Sequence, residues 1–305
     1  MKPLQDFFRS LWSDAEKIPT LKLEVISSYE EWRSHVAVSQ RRMLEISRLE
    51  LQLVPSHHGA FDLVGFCYVC KKHVRFYVDF EYSYEVNGVL TPNWREKLAC
   101  PNCRLNNRMR AAVQIFEQEF KPRVASRIYI AEQTTPLHDW LYRNYPGTIG
   151  SEYIGQSVPF GRTDAKGIRN ESLTKLSFEA GHFDFILSFD VFEHIPDYKK
   201  ALSECYRCLA QGGTLCFTVP FLKNSESHLV RASMDGKGRI HHLLPPEYHG
   251  DPLNKDGCLC FQTFGWQLVD ELKEVGFTNV SALLYWSRDL GYLGGEQIVF
   301  KAQKR

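Results

Sequence analysis

Four of the nine cysteines fall in two Cys-x-x-Cys pairs, Cys67/Cys70 and Cys100/Cys103. Thiolates are soft ligands, and tetrahedral Zn²⁺ takes four of them at about 2.3 Å. A two-residue spacer lets both sulfurs of a pair face one ion. Residues 71–99 between the pairs are enough for a hairpin and more, so the spacing predicts a zinc ribbon. An all-sulfur shell leaves no position for water, which makes the expected zinc structural. Such an ion contributes on the order of 10 kcal/mol to folding. Two unrelated thiol pairs are the bland alternative. A redox pair is disfavoured because neither knuckle opens a helix after a strand. His73 is nearby but is not expected to be a ligand, since four sulfurs complete the shell.

A second group of chemistry-bearing residues lies in the polar segment His228 to Phe264: His241, His242, Glu247, His249 and Asp251. Imidazoles and carboxylates serve as general bases and as metal ligands. Long polar connections that add nothing to a core are often functional lids. A solvated loop held by its own hydrogen bonds is the competing reading for any one of these residues. Cys258 and Cys260 read as small buried hydrophobes. Arg104, Arg108 and Arg110 follow the second knuckle on an expected helix from Arg104 to Phe120. They suit either phosphate binding or a solvated or docking face. The chain carries 37 Lys+Arg against 36 Asp+Glu, a formal charge of +1, and this favours the second reading.

The elements that must position these groups follow from pattern. The chain has 305 residues, 44% apolar and 24% charged, an ordinary globular composition large enough for a substantial core. No apolar run reaches the roughly 18 residues that span a bilayer. Asp6 and Arg9 interrupt the stretch Met1 to Trp12 where a signal peptide needs unbroken apolar sequence, so a cytoplasmic location is expected. Residues 1–55 are read as a helical segment, with Phe7, Phe8, Leu11 and Trp12 on one face and a second stripe from Trp32 to Leu49. Pro55 to Gly59 is a linker, and 56–120 hold the ribbon and the basic helix, with Asn87-Gly88 as a turn. From about 121 to 305 strands and helices alternate. Strands are expected at 127–131, 148–153, 183–188, 214–219, 278–284 and 297–301. Helices are expected at 136–145, capped by Thr135, at 196–210, capped by Asp197 and stopped by Gly212-Gly213, and at 265–275, closed by Gly276. Such alternation means a largely parallel α/β sheet covered on both faces.

The stretch Phe183-Asp-Phe-Ile-Leu-Ser-Phe-Asp-Val-Phe-Glu-His-Ile-Pro-Asp197, followed by Leu209-Ala-Gln-Gly-Gly-Thr-Leu215, resembles the class I S-adenosylmethionine-dependent methyltransferases of the type 11 group. Gln211 stands at the group's usual proline. The preceding Cys-Pro-x-Cys and basic helix look like a bacterial subgroup that carries an N-terminal zinc ribbon. The resemblance implies a Rossmann-like seven-stranded methyltransferase sheet with one antiparallel strand near an edge, and S-adenosylmethionine lying across the carboxyl ends of the strands. It implies roles for Ala131 and Glu132 in the first loop and for Glu152 on the ribose hydroxyls. Glu171 or Ser172 would meet the adenine amine, and Ser188, Phe189 and Asp190 would line the cleft. Glu193 and His194 belong to the motif, His194 as a structural hydrogen-bonding residue. The first loop, Ile130 to Thr135, lacks the family's Gly-x-Gly, and Ala131 is its nearest substitute for close backbone approach. The insertion 222–264 would cover the cleft and build the acceptor pocket. The expected function is methyl transfer to oxygen or nitrogen of a small molecule or saccharide. Two rivals stay open: a cofactor-less scaffold, and an RNA methyltransferase gripping nucleic acid through the ribbon.

Overall fold

A computed structural model describes residues 18–57 and 59–305. The expected apolar face of Phe7, Phe8, Leu11 and Trp12 lies outside the described residues. In chain order the elements are β1 (Leu23–Ile26), α1 (Tyr29–Gln52), β2 (Phe61–Cys67), β3 (Lys72–Val78), β4 (Tyr84–Val86), β5 (Val89–Thr91), α2 (Trp94–Lys97), β6 (Leu98–Ala99) and α3 (Asn107–Ile115). The chain continues with β7 (Ile128–Ile130), α4 (Pro136–Asn144), β8 (Thr148–Gly150), β9 (Phe183–Phe189), α5 (Tyr198–Cys208) and β10 (Leu209–Thr218). Six short strands follow: β11 (Leu229–Val230), β12 (Ala232–Met234), β13 (Ile240–His242), β14 (Tyr248–His249), β15 (Cys258–Leu259) and β16 (Gln262–Thr263). Last come α6 (Gln267–Val275), β17 (Thr278–Ser287) and β18 (Tyr292–Gln303).

The chain forms two compact units, and neither is continuous in sequence. One comprises residues 18–23, Arg42–Phe120 and Tyr285–Gln297; the other comprises Glu24–Arg41, Lys121–Leu284 and Ile298–Arg305. The sequence had suggested contiguous segments, 1–55, 56–120 and 121–305.

The central sheet has seven strands in the order β1-β17-β18-β10-β9-β7-β8. β8, β7, β9 and β10 run parallel to one another, and β18 pairs antiparallel with β10. All three residues of β7 are buried, as expected of a strand covered on both faces. This is the expected Rossmann-like seven-stranded sheet. Its edges differ from expectation. Leu23–Ile26, read as part of a helical segment, is a strand. Four residues with β-branched Val25 and Ile26 are too short for period to separate helix from strand, and the sheet edge decides. Just past β8, Glu152 and Asn170 form an isolated parallel bridge.

Helix ends follow their caps. Thr135 accepts from the His138 N–H and starts α4 with Pro136 at its first position; Asp197 accepts from the Lys200 N–H and starts α5. α6 closes on Gly276 at φ +114°. α5 stops at Cys208, two residues short of expectation. Gly212-Gly213 is no helix stop; it lies inside β10, where the register with β9 jumps between Leu209 and Thr214. Gly212 takes φ +76°, and a Cβ on Gly213 would stand 2.9 Å from the Ala210 carbonyl oxygen. The pair makes a bulge.

In the cysteine-bearing unit β2, β3 and β6 form one sheet, and β4–β5 a hairpin turning at Asn87-Gly88, both at positive φ. Leu63, Val74, Phe76, Val78, Trp94, Leu98 and Leu293 are its core. The helix expected from Arg104 is regular α only over Asn107–Ile115, because Asn106 caps it by accepting from the Met109 N–H; one π turn, Phe116–Phe120, follows.

Candidate active site

After β7 the chain crosses to β8 on one side and then to β9 on the other. The topological switch therefore lies between β7 and β9, and their carboxyl ends are where an open α/β sheet binds ligands. Ala131 extends β7 there, its N–H bonded to the Leu187 carbonyl at 3.0 Å. Glu132 is buried. Glu152, just past β8, accepts three hydrogen bonds on one oxygen, Oε1: from the Gln133 N–H at 2.8 Å, the Thr134 N–H at 2.9 Å and Thr134 Oγ1 at 2.8 Å. Its Oε2 takes none of these.

Ser188, at the end of β9, is fully buried and its hydroxyl has no hydrogen-bond partner. Phe189 is buried beside it. Asp190 sits at φ +57°, an uncommon conformation for a residue other than glycine. Two bonds to Thr218 at the end of β10 hold it: Asp190 N–H to the Thr218 carbonyl, 2.9 Å, and Thr218 Oγ1 to Asp190 Oδ1, 2.8 Å. Backbone strain of this kind gathers at functional sites. Glu171 is differently engaged. Its carboxylate is buried and receives Arg169 Nε at 2.9 Å, the Ser177 N–H at 3.0 Å and Ser177 Oγ at 2.6 Å. Ser172 Oγ pairs with Thr174 Oγ1.

On this geometry the comparisons can be set. Residues 138–217 match the model of the methyltransferase domain family, a stretch that runs from α4 through β10. That stretch is similar to a methyltransferase domain. No curated protein matches the chain. Among solved structures, an S-adenosylmethionine-dependent methyltransferase from Mesorhizobium loti is 13% identical, with 63% of this chain and 98% of that one covered and a TM-score of 0.38. A 1,6-didemethyltoxoflavin-N1-methyltransferase from Burkholderia thailandensis, solved with its acceptor and S-adenosylhomocysteine, is 17% identical over 64% of this chain and 77% of that one, TM-score 0.36.

The segment 222–264 is laced to the turn after β9. The Phe261 N–H donates to the Glu193 carbonyl at 2.7 Å, and Gln262 Nε2 donates to the Phe192 carbonyl at 2.9 Å. Of the expected acceptor-side residues the fold gathers two, Glu247 and His249, next to Glu193 and His194. His241 and His242 are exposed on β13, and His241 Nε2 stands 3.3 Å from Asp235. Asp251 accepts from the Leu253 N–H in a local turn. Burial pushes the Cys258 thiol up to about 11 and the Cys260 thiol up to about 12, which fits inert packing residues. Arg231, whose Nη2 meets Glu247 Oε2 at 2.6 Å, had no signal in the sequence.

In the other unit the four knuckle sulfurs converge. Cys67 and Cys103 Sγ are 3.8 Å apart, Cys70 and Cys100 Sγ 3.7 Å, and all four lie within 4.8 Å of one another. Four sulfurs at 2.3 Å around a tetrahedral ion stand about 3.8 Å apart, so the donor set fits zinc. In both knuckles the residue after the second cysteine is left-handed: Lys71 at φ 53° and Arg104 at φ 64°. The basic helix is not a solvated face. Arg110 is fully buried and donates to the Leu290 and Gly291 carbonyls at 2.7 and 3.0 Å, and Arg108 pairs with Glu96.

Proposed function

We propose that this methyltransferase moves the methyl group of S-adenosylmethionine to oxygen or nitrogen of a small-molecule or saccharide acceptor. The observation that carries the reading is the edge at the β7–β9 switch, where Glu152 keeps Oε2 uncommitted and Ser188 keeps a buried, unpaired hydroxyl within the family-matched domain. Glu152 takes the ribose hydroxyls through Oε2. Ala131, Glu132, Ser188, Phe189 and Asp190 form the rest of the cradle. Adenine falls to Ser172, because Glu171 is saturated by Arg169 and Ser177. When bound, the cofactor supplies an electrophilic sulfonium methyl; the chain's own work is proximity and orientation in an in-line displacement. Recognition of the acceptor is assigned to the segment 222–264, through His241, His242 and the Glu247–His249 pair.

Cys67, Cys70, Cys100 and Cys103 hold a structural zinc in this reading, and Cys100→Ser removes one tightly bound zinc per chain. Burial of Arg110 and pairing of Arg108 support a packing role for the basic helix over an RNA grip. Among the described residues no helix is long and apolar enough to cross a membrane, and we place the enzyme in the cytoplasm. Isothermal titration with S-adenosylmethionine tests the function. We expect saturable binding by the wild type, weakened about 10- to 100-fold in Glu152→Gln, the loss of one hydrogen bond to a charged group. Absence of binding at millimolar cofactor overturns the proposal and leaves the scaffold reading.

A further inference from the structure

Glu193 is 0% exposed, and neither carboxylate oxygen has a hydrogen-bond partner. A buried carboxylate left in that state costs several kcal/mol unless a cation meets it. Two imidazoles face it. His249 Nδ1 is 3.4 Å and His194 Nε2 is 3.6 Å from the same oxygen, Oε1.

The outer nitrogens of both rings decide what the inner ones present. His194 Nδ1 lies 2.9 Å from the Leu259 carbonyl, which can only accept; that nitrogen therefore carries the proton and Nε2 carries a lone pair. His249 Nε2 lies 3.1 Å from Glu247 Oε1, another acceptor, so in the neutral ring its Nδ1 likewise carries a lone pair. With both rings neutral, two lone pairs and a carboxylate converge inside the protein; without a metal, the hydrogen bonds to Glu193 and Glu247 raise the proton affinity of His249. A carboxylate or carbonyl orienting the far nitrogen of each ring is the arrangement that metal-ligating histidines have.

The distances agree. Ligands about 2.1 Å from a tetrahedral ion stand about 3.4 Å apart, against 3.4 and 3.6 Å here. The three ligand atoms all lie within 4.8 Å of one another, and the two rings meet edge to face at 5.0 Å. We propose that Glu193, His194 and His249 bind a zinc-type divalent cation, with Glu247 orienting His249. Two imidazoles and one carboxylate suit zinc and its first-row neighbours better than magnesium or calcium. Three protein ligands leave a coordination position open. The ion would fasten the segment 222–264, through His249, to the turn after β9. This inference does not rest on the methyl-transfer reading.

The test is a Co²⁺ titration of the metal-stripped, full-length protein, with Zn²⁺ content measured in parallel. Cobalt in the four-cysteine centre gives intense thiolate charge transfer in the near ultraviolet; an imidazole–carboxylate site gives none. Two equivalents should bind, and the second should add only weak visible bands. Glu193→Gln and His249→Ala should each lose that second equivalent and keep the first. Glu247→Gln should weaken it by about 10- to 100-fold. Since wild-type protein alone decides the stoichiometry, a misfolded variant does not blunt the test. Saturation at one equivalent overturns the proposal and assigns the cluster a shared proton. So does a second equivalent that survives in both ligand variants, since it would then bind elsewhere.

Discussion

Arg110→Met asks what a buried guanidinium contributes when no carboxylate touches it. The side chain donates Nη1 to the Leu290 carbonyl at 2.7 Å and Nη2 to the Gly291 carbonyl at 3.0 Å. Its plane lies 3.9 Å over the Phe76 ring. Burial lowers its proton affinity. Methionine keeps most of the volume but strands two carbonyls, at about 1–3 kcal/mol each. Removing a buried charge returns part of that, since burying it was itself costly. The expected net loss is about 2–4 kcal/mol for the cysteine-bearing unit, a 30- to 1,000-fold rise in opening, roughly tenfold per 1.4 kcal/mol. Hydrogen exchange of peptides spanning β2 and β3 reads the unit directly. Arg110→Lys should recover little, because one ammonium cannot span two carbonyls as the planar fork does. Exchange within threefold of wild type in Arg110→Met would refute the reasoning and show that the buried guanidinium is dispensable to the unit.

Two further predictions concern the unit that holds β7 to β10. Burial alone would raise the pKa of Glu271, but hydrogen bonds from His228, Gln267 and Lys199 hold it down at about 2. A depressed folded value stabilises above the unfolded value of 4.5 and is lost as pH falls toward 2, worth at most about 3 kcal/mol. Glu271→Gln should therefore melt lower at pH 7 and converge with wild type in acid; parallel melting curves from pH 7 to 3 would show that Glu271 carries no such linkage. Gly150→Ala would place a Cβ 2.4 Å from the His138 ring and 3.0 Å from the Glu132 carbonyl, an overpacking of about 1–3 kcal/mol. Its melting temperature should fall by several degrees; an unchanged value would mean that the β8 edge yields freely.

What the sequence showed and what it hid divide by distance along the chain. The knuckles were legible because two residues separate each pair, and the caps at Thr135 and Asp197 because a cap and its helix are adjacent. Arg110 was not, since its acceptors Leu290 and Gly291 lie 180 and 181 residues away. The same holds for His249 against Glu193: the motif marked one and the polar segment the other, and the bonds of Phe261 to Glu193 and of Gln262 to Phe192 bring them together. Gly212-Gly213 misled for another reason. A glycine pair after a helix has two uses, and whether it ends the helix or bulges the strand depends on the neighbouring strand β9.

The glycine-free first loop can now be argued from backbone angles. Glycine is required where φ is positive or where a Cβ would collide. None of residues 131–135 takes a positive φ. The loop is instead pinned from the side, through the Gln133 and Thr134 N–H groups on Glu152 Oε1. In the proposed cofactor reading, a carboxylate that fixes the loop with one oxygen and leaves the other uncommitted couples two tasks that the glycine pattern keeps apart: shaping the loop and gripping the ribose. Glutamine at 152 retains an acceptor for the loop and loses the second oxygen. Alanine loses both. The two substitutions therefore separate the tasks: Glu152→Gln should weaken cofactor while keeping the fold of residues 131–135, whereas Glu152→Ala should release three bonded donors and speed exchange across that loop as well. Equal effects of the two on exchange would mean that the loop holds its shape without Glu152.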